Sequence, residues 1–119
     1  MKLFLDDERF GPKGWTTVRP SYFFWTYLTK RDEIEAISLN NDMGDEYMSG
    51  EKVLQCIEAL YYRDGILPPL LYVHSQNVVE RKNMIQAINR LNEFVGAKYN
   101  TTTRNYDPTI LPEGENMVN

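Results

Sequence analysis

Cysteine is nearly missing from this chain: Cys56 is the only one in 119 residues. One thiol cannot form an internal disulfide or a cysteine zinc cage, and such usage fits a reducing, cytoplasmic setting. Positive charge is also short. Thirteen Lys and Arg face seventeen Asp and Glu, a net charge of -4, which argues against gripping a long nucleic-acid duplex. No apolar run approaches the roughly 20 residues of a membrane span. The apolar start turns acidic after five residues, too soon for a signal peptide. There is no internal repeat, no glycine-rich phosphate loop and no Gly-x-Ser-x-Gly elbow around Ser75. What remains is ordinary globular usage, 42% hydrophobic and 25% charged, at a length that suits one domain with one core.

The chain alternates between two periods. Residues 2–5 form a short apolar run, and Trp15 to Val18 is β-prone and short. After Arg19-Pro20, Ser21 is a helix cap candidate, and Phe24, Tyr27 and Leu28 recur at helical spacing up to Lys30. Ile34 to Leu39 has strand character. From Ser49 the period changes to 3.6, with Val53, Leu54, Ile57, Leu60 and Tyr61 on one stripe and Gly65 as the stop. Leu70 to Val73 is continuously apolar, as buried parallel strands are. Asn77, with Glu80 three residues on, resembles a capping box. It opens a helix carrying Val78, Val79, Met84, Ile85, Ile88 and Leu91, with Gly96 as its expected end. Residues 97–119 are polar: Thr101 to Thr103 is a possible edge strand, followed by a tail.

This order predicts an α/β domain over 1–96, three layers deep, with a mostly parallel sheet. Ligands of such sheets gather beyond the carboxyl ends of the strands. The core strands end on Asp6-Asp7, on Asn40-Asn41-Asp42 and on His74-Ser75-Gln76-Asn77. Parallel strands bring these three sets to one edge. Carboxylate and amide oxygens suit Mg²⁺ or Mn²⁺, so Asp6, Asp7 and Asp42 form the expected metal set. His74 is the candidate proton shuttle, Ser75 a donor to a phosphate oxygen, and Arg9 a phosphate clamp. Arg9, Asn41, Ser75 and Asn77 make the substrate-binding set, for a small phosphorylated ligand. The opposing readings are plain ones: paired Asp residues cap turns, Asn40 and Asn41 form turns, and Ser75 and Asn77 cap a helix.

The segments "LFLDDER", "ISLNNDMG…SG" and "YVHSQN" together resemble the cyclic-phosphate processing receivers, relatives of response-regulator receivers, over about residues 1–92. The resemblance implies a flavodoxin-like, doubly wound fold, with Asp6, Asp7, Arg9, Asp42, His74, Ser75 and Asn77 in the site. It also implies metal-dependent hydrolysis or processing of a cyclic phosphate or related nucleotide product. One position departs from the family pattern: Asn40 stands where a carboxylate is usual. An amide oxygen can ligate a metal but cannot take a proton. The alternative is therefore a non-enzymatic receiver-like module that binds a phosphorylated ligand or a protein partner. A phospho-accepting receiver would need a Lys near Thr103, and Arg104 matches it in charge but not in geometry.

Overall fold

A computed structural model describes residues 1–40, 49–98 and 106–111. The element order is β1 (Lys2–Leu5), β2 (Thr16–Val18), α1 (Pro20–Lys30), a 3₁₀ turn (Arg31–Glu33), β3 (Ala36–Leu39), α2 (Gly50–Asp64), β4 (Leu70–Val73) and α3 (Val78–Lys98). Among the described residues the four strands form one sheet in the order β2-β1-β3-β4, and every pairing is parallel. The three strands that end on polar sets are therefore direct neighbours. Among the described residues, no helix is long and apolar enough to cross a membrane.

The two faces of the sheet are covered differently. Successive strand side chains alternate between faces. Leu3, Leu5, Ile37, Leu39, Leu71 and Val73 point to one face and pack with Phe23 and Tyr27 of α1, Val53, Leu54 and Ile57 of α2, and Met84, Ile88 and Leu91 of α3. All three helices thus share one core. On the other face Phe4, Ala36 and Tyr72 pack with Trp15, Tyr106 and Leu111. Among the described residues this face carries no helix; the loop before β2 and the segment 106–111 cover it. The chain goes from β1 to β2 through a loop, so no helix crosses that side.

Helix boundaries follow local chemistry, with some departures from the sequence expectation. α1 starts at Pro20, not after Ser21, and its N-cap Arg19 is extended at φ −76° and ψ 148°. Proline suits the first helical position and pushes its predecessor out of the helix region. Its buried residues are Phe23 and Tyr27, one helical turn apart; Leu28 is exposed. The 3₁₀ turn occupies Arg31–Glu33, so β3 begins at Ala36, not Ile34. In α2 the Ser49 side chain accepts from the Lys52 amide, and Gly65 ends the helix at φ 71°. There the amides of Gly65 and Ile66 donate to the Tyr61 and Leu60 carbonyls at 2.9 and 3.3 Å, a reversal that needs a residue without Cβ. In α3 the Asn77 side chain caps the Glu80 amide at 3.1 Å. The helix passes Gly96, which is buried, and runs to Lys98. Val78 and Val79 are exposed; the helix starts beyond the end of β4, so its first turn has no sheet beneath it. The expected edge strand at Thr101 to Thr103 lies outside the described residues.

Candidate phosphate site at the carboxyl edge of the sheet

Asp6, the first residue past β1, is 2% exposed. Its Oδ1 accepts the backbone amides of Glu8 at 2.8 Å and Arg9 at 2.9 Å, so the carboxylate shapes the turn that follows it. Its Oδ2 accepts Arg9 Nε at 3.1 Å, Asn40 Nδ2 at 3.4 Å and His74 Nε2 at 3.2 Å. Burial by itself raises the Asp6 pKa. The two amide donors and the Arg9 and His74 charges outweigh it, and the group stays below the usual carboxylate value. Asp6 is thus an ionised acceptor at neutral pH.

That fixes the state of His74. An acceptor-only carboxylate requires the proton on Nε2, which leaves Nδ1 to accept the Ser38 hydroxyl at 2.7 Å. The ring stacks on Phe4, with centroids 3.9 Å apart and planes 15° apart. Burial lowers its pKa to about 4, and the Arg9 charge acts in the same direction against the pull of Asp6. His74 is therefore neutral near pH 7 with both nitrogens engaged. This differs from the expected shuttle, which needs a pKa near neutrality and an open nitrogen. Sequence reading missed Ser38 and Phe4 as its partners. The available signal was parity, since Phe4, Asp6, Ser38, Asn40 and His74 all carry even numbers on neighbouring parallel strands or just past them.

Arg9 spans the two strand ends. Its Nε meets Asp6, and its Nη2 donates to the His74 carbonyl at 3.2 Å. A pocket of about 190 Å³ opens beside it, lined among the described residues by Asp6, Glu8, Arg9, Asn40, Ser75, Gln76 and Asn77. Ligand sites that enclose a drug-sized molecule run to roughly 300–1,000 Å³. This one has room for a head group, with the rest of a ligand outside. Ser75 is buried, and among the described residues its hydroxyl has no hydrogen-bond partner. Gly50, the first residue of α2, packs closely on the Asn40 backbone. A Cβ there would lie 2.9 Å from the Asn40 carbonyl oxygen and 2.8 Å from Met84 Cε.

The structure brings Asp6, Arg9, Ser75 and Asn77 to this pocket. His74 lies behind it, in a neighbouring recess with Arg81 and Thr109. Asp7 lines an adjoining recess that shares Asp6, Glu8 and Arg9 with this pocket and extends to Phe10, Thr17 and Arg19. Asn41 and Asp42 lie outside the described residues. Of the expected Mg²⁺ or Mn²⁺ set, Asp6 is already engaged by protein donors. A carboxylate offers about four lone-pair positions, and here five donors take them. Among the described residues, no cluster of three His, Cys, Asp or Glu could hold a metal ion.

A parallel sheet in receiver strand order, with charged and polar residues at its carboxyl edge, defines a receiver-like α/β domain. The model of the cyclic-phosphate processing receiver domain matches residues 1–90, and the chain belongs to that family. No curated protein and no solved structure matches it.

Proposed function

We propose that this chain binds the phosphate of a cyclic-phosphate ligand in the Arg9–Ser75 pocket, as a recognition module first and a hydrolase only if a further group completes the site. The observation that carries this reading is the fixed guanidinium. Asp6 and the His74 carbonyl hold Nε and Nη2, so among the described residues Nη1 and the second Nη2 hydrogen are left for an anion. A pre-oriented guanidinium suits a phosphate's paired oxygens. The Ser75 hydroxyl supplies a further donor without giving up an existing bond. Asn77 lines the pocket and caps α3, which puts the positive end of that 21-residue helix beside the anion.

The same geometry weighs against proton transfer through His74, and no step is assigned to it or to Asp6. Their role is to hold Arg9. Asn40 reinforces that role: its amide donates to Asp6 Oδ2, which a carboxylate at position 40 could not do while ionised. A metal-assisted hydrolase would draw on Asp7 and Asp42 without Asp6.

The test is calorimetric titration with adenosine 2′,3′-cyclic phosphate, with and without Mg²⁺, alongside phosphomonoester release. Saturable binding that survives EDTA and falls at least about tenfold in Arg9→Gln, the loss of one charge-assisted contact, supports the reading. Mg²⁺-dependent turnover by the native chain would replace it with the hydrolase. Binding that Arg9→Gln leaves intact would remove the pocket from consideration.

A further inference from the structure

β4 is the last strand of the described sheet, so one of its sides has no strand neighbour. In a strand, alternate residues send their amides to opposite sides. The Leu70 and His74 amides donate inward, to the Glu35 and Leu39 carbonyls at 3.0 and 2.9 Å. The Leu71 and Val73 amides point outward, where a bare edge would expose them.

Residues 106–111 take up both. The Leu71 amide donates to the Tyr106 hydroxyl at 2.9 Å, and that hydroxyl donates back to the Leu71 carbonyl at 2.8 Å. One side chain thereby imitates the two backbone groups of a neighbouring strand. Two residues on, the Val73 amide donates to the Pro108 carbonyl at 2.8 Å. The Tyr106 ring lies against Tyr72, with centroids 5.3 Å apart. Asp107 stiffens the turn by accepting the Thr109 amide at 2.9 Å and its hydroxyl at 2.6 Å. Thr109 then lines the recess shared with Val73, His74, Ser75 and Arg81.

We propose that Tyr106–Leu111 is a strap that replaces a fifth strand at this edge, and that Tyr106 is a positioning residue for the His74–Ser75 end of the site. The family match stops at residue 90, so the strap belongs to this chain's extension beyond the matched region. The path is short. Tyr106 fixes Leu71, Pro108 fixes Val73, and the next two residues are His74, whose carbonyl holds Arg9, and Ser75, whose carbonyl accepts Arg81 Nη1 at 3.3 Å. A β4 end free to shift would misplace the Arg9 anchor and the Ser75 hydroxyl together. Only this last step rests on the phosphate-site reading.

The test uses the full chain and Tyr106→Phe, which keeps the ring and removes both hydroxyl bonds. The readouts are amide exchange at Leu71 and Val73, the ring signal of His74, which is the only histidine, and the affinity for adenosine 2′,3′-cyclic phosphate. The expected result is Leu71 exchange faster by roughly tenfold, as loss of one hydrogen bond allows, with a shifted His74 signal and an affinity weakened several-fold. Unchanged exchange at Leu71 overturns the strap. Faster exchange with an unmoved His74 signal overturns the positioning role and leaves only edge protection. The native chain supplies a second check that needs no variant: Leu71 and Val73 amides exchanging as freely as an open edge would also overturn the strap. If the native chain binds no cyclic phosphate, the function proposed above fails, while exchange and the His74 signal still decide the strap.

Discussion

The helix-covered face of the sheet and the opposite face are built from the same strands and differ in kind. On the helix side, odd-numbered strand residues meet three helices in an aliphatic and aromatic core. On the other side, even-numbered residues pass along the strands from Phe4, Ala36 and Tyr72 to the polar set Asp6, Ser38, Asn40 and His74. On the helix face the packing is apolar burial, which is non-directional and tolerates exchange of similar shapes. The other adds to a smaller apolar cluster a set of charge-assisted hydrogen bonds whose partners must all be present. The difference teaches that the two sides of the described sheet are held by different physics, so variants on each side should respond differently.

The largest effect is expected at Asp6. Asp6→Ala leaves Arg9 partly buried without its anion and removes the acceptor of five donors. Breaking such a pair costs about 3–5 kcal/mol, measurable by urea unfolding, and ligand affinity should fall with it. A stable variant with normal binding would break the comparison.

Next comes pH. His74 has a folded pKa of about 4 against an ordinary 6.5, so the unfolded chain binds a proton that the folded chain refuses. Stability is full above pH 6.5, falls as the pH drops towards 4, and levels off below, with a total loss of about 3 kcal/mol. The depressed Asp6 adds a further loss only below its ordinary 3.8. His74→Gln should flatten the first slope in denaturation curves taken across that range. An unchanged slope would mean that another group carries it.

A smaller effect belongs to the helix face. Ile37 is fully buried, and Ile37→Val should cost about 1 kcal/mol while leaving ligand affinity as it was. A drop in affinity larger than the drop in stability would show that the two faces are coupled.

The smallest expected change in stability is at Ser75 and has the opposite sign. Its buried hydroxyl lacks a partner among the described residues, so Ser75→Ala should be neutral or stabilising by up to about 1 kcal/mol. Ligand affinity should nevertheless fall. A clear destabilisation would mean that the hydroxyl is already satisfied, and it would blunt the case for Ser75 as a ligand donor.

Much of this was legible from residues alone. The element order followed from the switch between periods, because a helix and a strand each need one face buried. Ser49, Gly65 and Asn77 marked ends that the structure uses as caps, since capping is local chemistry within a few residues. The meeting of Asp6, Asn40 and Ser75 at one edge followed from parallel strands. Phe24, Tyr27 and Leu28 were expected on the stripe of α1; Tyr27 is buried, Phe24 partly so and Leu28 exposed, while Phe23 takes the remaining core place, because a run of consecutive aromatics does not state which side of its helix meets the sheet.

Sequence by itself thus determined where strands and helices lie, which ends they share and which residue types collect there, because these depend on neighbours a few positions apart. Only the tertiary structure decided what those residues do to one another. Asp6 is a plausible metal ligand as a letter, and an occupied acceptor once Arg9, Asn40 and His74 converge on it from three chain segments. His74 is a proton shuttle by its ordinary pKa, and a neutral structural ring once Phe4, Ser38 and Asp6 enclose it. Burial and the saturation of lone pairs are properties of an environment assembled from distant positions, and no local pattern carries them. The same holds for Tyr106, an unremarked residue in a polar extension until it lies against the open edge of β4.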